Sequence, residues 1–315
     1  MNSTLLNGAL LIDKPESISS FGVIEFIQKQ WQFQTGLKKK DLPKLGHGGT
    51  LDPFATGLLI ILVGKAVKLA RYFLSSTKSY EGWIRFGETT LPGDPTAPIS
   101  ERCSHLPSSI ESLRKLAHDL TQTSYFQTPP MYSAKKKDGK RLYQLARAGI
   151  EVEREPQLCS LDEFKIENYN PPEAFFELTC SAGTYVRTLS QDFGKKLGTV
   201  ALLASLRRTA CGNFRLHQSL SLKKIIEAEN WDQLPCWIPF DRLLEGYSRV
   251  EVTPDEREAL IHGKQKVLLN LLPRRQPQTS QKVHSENLMT LFCNGSLIAL
   301  ARKEPQGWSL ERVFH

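Results

Sequence analysis

Short apolar runs and amphipathic stretches alternate along the chain. Ala9-Leu10-Leu11-Ile12 is a continuous apolar run closed by Asp13-Lys14-Pro15, which predicts a short buried strand. Ser17-Ile18-Ser19-Ser20 follows as a helix-entry signal, with Ser19 or Ser20 as the N-cap. Val23, Ile24, Ile27 and Trp31 then share one face at helical spacing. Leu58 to Val63 predicts a second buried strand, Gly64-Lys65-Ala66 a turn, and Val67, Leu69, Ala70, Tyr72 and Phe73 a short helix. From Lys78 to Gly87 the period is two. Tyr80, Ile84 and Phe86 fall on one face and Glu81, Trp83 and Arg85 on the other, so this strand is half-exposed. Glu88 to Ser100, rich in Thr, Pro and Gly, reads as loop, and a helix is expected around Ile110 to Leu120.

The second half is harder to read. Thr128 to Arg141 is basic, broken by Pro and Gly, and leads into a short helix from Leu142 to Ala148. Phe175 to Cys180 reads as a strand, and Gly183-Thr184-Tyr185-Val186-Arg187-Thr188-Leu189 turns into a helix reaching about Leu197. Near Tyr247 the character changes. Val252-Thr253-Pro254 opens a helix at Glu256 to Ile261, stopped by Gly263, with strands expected at Leu288 to Phe292 and Leu297 to Ala301. This predicts a main unit over residues 1–247 and a small one over 248–315. A tail of under about 70 residues is small for a core of its own and should lean on the main unit.

Composition narrows the function without choosing it. The 315 residues carry 41 Lys and Arg against 33 Asp and Glu, a formal net charge of +8. That suits a polyanion, because lysine and arginine displace counterions from phosphates. The run Lys38-Lys39-Lys40 reads first as a solvated loop. The six cysteines are scattered, with no C-x-x-C pair for zinc or redox chemistry, which points to buried thiols in a reducing compartment. The N-terminus has no signal-peptide pattern, and the longest apolar stretch is far too short to span a bilayer. A cytoplasmic protein away from membranes is expected. There is no Gly-x-Ser-x-Gly elbow for a hydrolase, and Gly64-Lys65 is followed by Ala66 at the wrong spacing for a P-loop.

The chemistry concentrates in Gly46-His47-Gly48-Gly49-Thr50-Leu51-Asp52-Pro53-Phe54-Ala55-Thr56-Gly57-Leu58-Leu59. One carboxylate, Asp52, lies in a glycine-rich loop. Taken alone, an Asp before Pro is either a turn-forming cap or a working acid held at a fixed angle. The string resembles the active-site motif of the TruB-type pseudouridine synthases. Asp13-Lys14-Pro15, Lys78-Ser79-Tyr80, Gly183-Thr184-Tyr185-Val186-Arg187-Thr188-Leu189 and Leu206-Arg207-Arg208-Thr209 match the same family in the same order. Pro129-Pro130-Met131-Tyr132-Ser133-Ala134-Lys135 resembles its RNA-gripping insertion, about residues 128–155.

The resemblance implies an α+β pseudouridine synthase fold with a central mixed, largely antiparallel sheet, and a small PUA-like module at residues 248–315. It implies isomerisation of uridine in the T-loop of transfer RNA, at position 55. Asp52 is then the acid, attacking C1′ or removing the 2′ proton. Arg187 is its cationic partner, and Tyr80 stacks on the flipped base. Leu206 lines the pocket, His47 aids RNA docking, and Lys14 supports the loop beside the RNA. Lys135 and Lys136 of the insertion grip RNA. The reaction is redox-neutral, so no cofactor or metal is expected. A bare T-stem-loop is the expected partner, with no guide RNA and a monomeric enzyme. The rival readings are a non-catalytic RNA-binding protein and a guide-dependent relative.

Overall fold

The computed structural model describes residues 6–133, 135–137, 139–271, 274 and 287–314. Its centre is a ten-stranded sheet. Along the main path the order is Leu161–Asn170, Glu173–Cys180, Lys78–Phe86, Ala201–Cys211, Thr56–Val63, Gly8–Lys14 and Leu220–Ser221. Neighbours run antiparallel except where Ala201–Cys211 meets Thr56–Val63 and where Gly8–Lys14 meets Leu220–Ser221. The sheet is thus mixed and largely antiparallel, as expected. Thr56–Val63 is its most deeply buried strand, with every residue from Gly57 to Val63 buried, which is why its sequence is a continuous apolar run.

The helices cover this sheet. Ser20–Thr35 is capped by Ser19, whose hydroxyl accepts from the Gly22 amide at 2.9 Å, and it buries Val23, Ile24, Ile27 and Trp31. It stops at Gly36, left-handed at φ 69°, whose amide donates to the Gln32 carbonyl. Ile110–Gln122 lays Leu113, Ala117 and Leu120 against the Leu161–Asn170 strand. Val186–Lys196 packs over Ala201–Cys211.

Three local expectations change. Residues 88–100 are not all loop, because Glu88–Thr90 pairs antiparallel with Ile99–Arg102. The latter strand is exposed throughout, so it has no apolar alternation to reveal it. Leu161–Asn170 and Ala201–Cys211 are long strands that the pattern hides. Each carries two register shifts that break the period of two, at Leu161/Glu163 and Ile166/Asn168 in one, and at Leu203/Ser205 and Arg208/Ala210 in the other. The short helix after Val63 divides into a tight 3-10 segment, Gly64–Leu69, and an α-helical turn, Ala70–Leu74.

Tyr125–Gln127 pairs with Gln157–Cys159 and brackets the basic insertion, which holds a small hairpin (Lys136–Lys137 with Lys140–Arg141) and the helix Leu142–Arg147. After Tyr247, the strands Ser248–Glu251, Leu288–Cys293, Ser296–Glu304 and Gly307–Val313 form a separate sheet. Met289, Leu291 and Ala299 pack with Val250 and Leu260 in a core of their own. Leu288, Phe292, Leu297, Leu300 and Phe314 instead join the main core. The Phe240 and Phe314 rings lie 5.0 Å apart, and the Leu297 amide donates to Asp241 at 2.6 Å. No helix among the described residues is long and apolar enough to cross a membrane.

Candidate active site

Three separate segments meet at one cavity of about 250 Å³. The glycine-rich loop brings Asp52, the Lys78–Phe86 strand brings Tyr80, and the start of the Val186–Lys196 helix brings Arg187. Leu206 lines the same space, with Ser133 of the insertion and Tyr185. The cavity has room for a single nucleoside-sized group and not for a stacked helix.

The loop is shaped by Gly57 and Arg208. Gly57 has φ 97°, and a Cβ there would sit 2.4 Å from the Arg208 carbonyl oxygen. Only glycine lets the Thr56–Val63 strand run alongside Arg207 and Arg208. The Arg208 guanidinium is buried. It donates to the carbonyls of Leu58 (2.7 Å), Thr50 (3.4 Å) and Gly49 (3.2 Å), tying the loop to the sheet. Lys14, fully buried, holds the other side, donating to Pro15 (2.7 Å), Ile18 (2.8 Å) and Pro53 (3.2 Å) carbonyls. Burial pushes the Lys14 amine down to about 8, with Asp52 and Glu16 acting upward and Arg208 downward. Lys14 therefore supports the acid's loop from inside the protein and presents no exposed surface to RNA.

Asp52 is 35 % exposed at its side chain, and Arg187 is 5 % exposed. The guanidinium approaches one carboxylate oxygen through Nε at 2.8 Å and the other through Nη2 at 3.4 Å. Its remaining hydrogens reach the Pro92 carbonyl (2.9 Å), the Tyr132 carbonyl (2.8 Å) and Asp94 (3.3 Å). Burial raises the Asp52 pKa above its ordinary value. The Arg187 charge opposes this, Asp94 reinforces it, and Lys14 opposes it more weakly. The facing guanidinium favours the ionised form of this acid, and a partly desolvated carboxylate is a stronger base and nucleophile than a solvated one.

Tyr80 pairs across the sheet with Arg208. Burial raises its phenol pKa, and the charge and hydrogen bond of Arg208 pull it back. The phenol therefore remains protonated at neutral pH beside a fixed cation. Lys78, also buried, donates to the Phe73 (2.8 Å), Leu74 (2.7 Å) and Ser76 (2.6 Å) carbonyls at the end of the Ala70–Leu74 helix.

His47 is placed apart from the cavity lining, on the strand Leu45–His47, opposite Ile61. Its buried Nδ1 has no hydrogen-bond partner, and its pKa is lowered by burial and by the charges of Arg208 and Arg141. Both influences favour the neutral imidazole. Lys135 reaches Gln157, not the cavity, and the side chain of Lys136 lies outside the described residues. Sequence reasoning passed over Asp94 and Gln127. Asp94 had a signal, because Gly93-Asp94-Pro95 repeats the acid-before-proline form of Leu51-Asp52-Pro53. No group of acids, cysteines or histidines suited to a metal occurs among the described residues.

Comparison with known proteins adds the lineage of this arrangement. Residues 35–186 match the model of the TruB family pseudouridylate synthase N-terminal domain. Residues 187–244 match the tRNA pseudouridylate synthase B C-terminal domain. The tRNA pseudouridine synthase B of Opitutus terrae is 40 % identical over 220 residues, covering 70 % of this chain and 87 % of that protein. The protein of the same name from Azoarcus sp. is 33 % identical over 298 residues, covering 94 % of this chain and 91 % of its own length. A chain from a Cbf5-Nop10-Gar1 complex superposes with a TM-score of 0.71 at 20 % identity, covering 99 % of this chain and 86 % of that one, which is a likeness of fold.

Proposed function

This chain belongs to the TruB family of pseudouridine synthases, and on that premise we propose that it converts uridine to pseudouridine in the T-loop of transfer RNA, at position 55. The observation that carries the residue assignment is the Asp52–Arg187 ion pair, at 2.8 Å, in a cavity that Tyr80 and Leu206 also line.

The reaction keeps every atom of the nucleotide. The N1–C1′ bond breaks, the uracil turns, C5 bonds to C1′, and the C5 proton is lost while N1 gains one. Asp52 is the acid that acts on the sugar, either attacking C1′ to give an ester or removing the 2′ proton to give a glycal. Both routes need the ionised form, which Arg187 secures. The base must leave its stack to reach a cavity of this size, and Tyr80 supplies a ring for it to lie on. Leu206 closes the apolar side. His47, whose ring burial keeps toward the neutral form, takes the space of nucleotides displaced when the target flips. Lys14 serves RNA indirectly, by fixing the loop, while Lys135 contacts phosphate from the insertion.

Residues 1–247 form the catalytic domain in this reading, with the insertion at about 128–155. Residues 248–315 are a PUA-like module that contacts the acceptor-stem side. In this reading the protein works as a monomer without a guide RNA. The free cysteines, five of six buried, support a cytoplasmic setting.

The test uses a bare T-stem-loop transcript with no added protein or guide. Wild-type protein is expected to convert its target uridine, and Asp52→Asn to bind the RNA and yield no product. Absence of turnover by the wild type overturns the stand-alone function. Pseudouridine made by Asp52→Asn overturns the role of Asp52.

A further inference from the structure

We propose that Gln127 is a positioning residue for Arg187, acting through the backbone of Tyr185 at the start of the helix that carries the arginine. This rests on the role of Arg187 in the reading above. Gln127 ends the Tyr125–Gln127 strand and is 1 % exposed. Its Oε1 accepts from the Tyr185 amide at 2.7 Å, and its Nε2 donates to the Tyr185 carbonyl at 3.0 Å. The same Nε2 donates to the Tyr125 hydroxyl at 3.0 Å, which in turn donates to Asp192 at 2.8 Å. One amide side chain therefore holds both main-chain groups of a single residue, and its neighbour holds the same helix further along.

The clamp falls where the helix has no cap of its own. Tyr185 is the N-cap residue, with φ −94° and ψ 105°, and its side chain makes no capping bond. A helix start without a capping side chain frays unless other groups fix it. Arg187 is the second residue of that helix, inside the segment that would fray. Gln127 replaces the missing cap with a grip on the backbone one residue before the helix.

The same stretch of chain also reaches the guanidinium. Tyr132, five residues beyond Gln127, supplies the carbonyl that accepts from Arg187 Nη2 at 2.8 Å. The foot of the insertion thus grips the arginine at both ends, by its backbone through Gln127 and by its head through Tyr132. Arg187 must meet Asp52 with two nitrogens, so a shift of the helix start is felt at the carboxylate even with the guanidinium unchanged. No other described residue bonds both main-chain groups of Tyr185 through its side chain. Glutamate in place of Gln127 keeps the acceptor and loses both donors, while leucine keeps the volume and loses all three bonds.

Gln127→Leu and Gln127→Glu are to be measured beside the wild type for single-turnover pseudouridine formation on a T-stem-loop transcript, for RNA affinity, and for thermal midpoint. The expected result is a rate lowered about 10- to 100-fold, since sub-ångström misplacement of a catalytic partner costs this much. RNA affinity should stay within about twofold, as for an interaction made only in the transition state. If one variant does not fold, the other carries the test by the same criteria. Rates equal to wild type overturn the positioning role alone. Rate and affinity falling together, or both variants failing to fold, also overturn it, because Gln127 then holds the fold and not the arginine. A wild type that makes no pseudouridine overturns the function itself and this role with it.

Discussion

At the scale of single residues, the site is a balance of charges removed from water. Asp52 is pushed up by burial and drawn back by Arg187, and Asp94 shares the same guanidinium from the far side. The net direction is upward from 3.8. A folded-state pKa above the unfolded one means that stability from this group is present at low pH and lost as pH rises through the folded value. Asp52→Asn should therefore unfold at a higher temperature than wild type at neutral pH, and the two should converge as pH falls below 3.8. On the proposed role of Asp52, activity has the opposite dependence, because the working form is ionised. The acid limb of kcat/KM, followed between about pH 4 and pH 8, should have its midpoint above the ordinary aspartate value. A midpoint at or below 3.8 would sink the account of burial as the dominant influence. Asp52 itself was legible because its motif is long. Asp94 shares the acid-before-proline form but was not singled out, because that form alone does not say which arginine, here 93 residues on, its carboxylate meets.

At the scale of elements, one parallel contact orders the site. Thr56 and Gly57 run beside Arg207 and Arg208, joining two segments that are far apart in sequence. The glycine is required by contact as well as by its φ, since a Cβ would meet Arg208 backbone at 2.4, 2.7 and 3.0 Å. Backbone cannot turn aside as a side chain does. Gly57→Ala should cost at least about 2–3 kcal/mol in urea unfolding, a large value for a single methyl group. A change below about 0.5 kcal/mol would mean that the two strands separate at little cost. The buried strands and amphipathic helices were legible here because their apolar periods are clean. The two bulged strands were not, since each register shift moves the next side chain to the opposite face.

At the scale of the whole molecule, the excess of +8 charges has a direction only if some of them meet RNA. Binding to the T-stem-loop should weaken linearly in a plot of log affinity against log salt. Lys135→Ala should make that slope shallower by about 0.7–0.9, as one phosphate contact is lost, while leaving the rate at saturating RNA near that of wild type. An unchanged slope would remove Lys135 from the RNA interface. The small terminal sheet is tied to the main body at a polar junction as well as through the shared core. Glu311 meets Arg71 and Tyr72 of the main body, and is held from its own sheet by Arg302 at 2.6 Å.

The sequence by itself determined the lineage and the reaction class, and it singled out one carboxylate as the candidate acid. It could do so because the glycines, the acid and the flanking apolar strand are contiguous, and local backbone demands are written locally. Only the tertiary structure decided what holds the arginine that faces that acid. Asp94 and Tyr132 converge on Arg187, and Gln127 on the start of its helix, from segments with no common period, and no single stretch of chain records a distance between side chains that folding alone brings together.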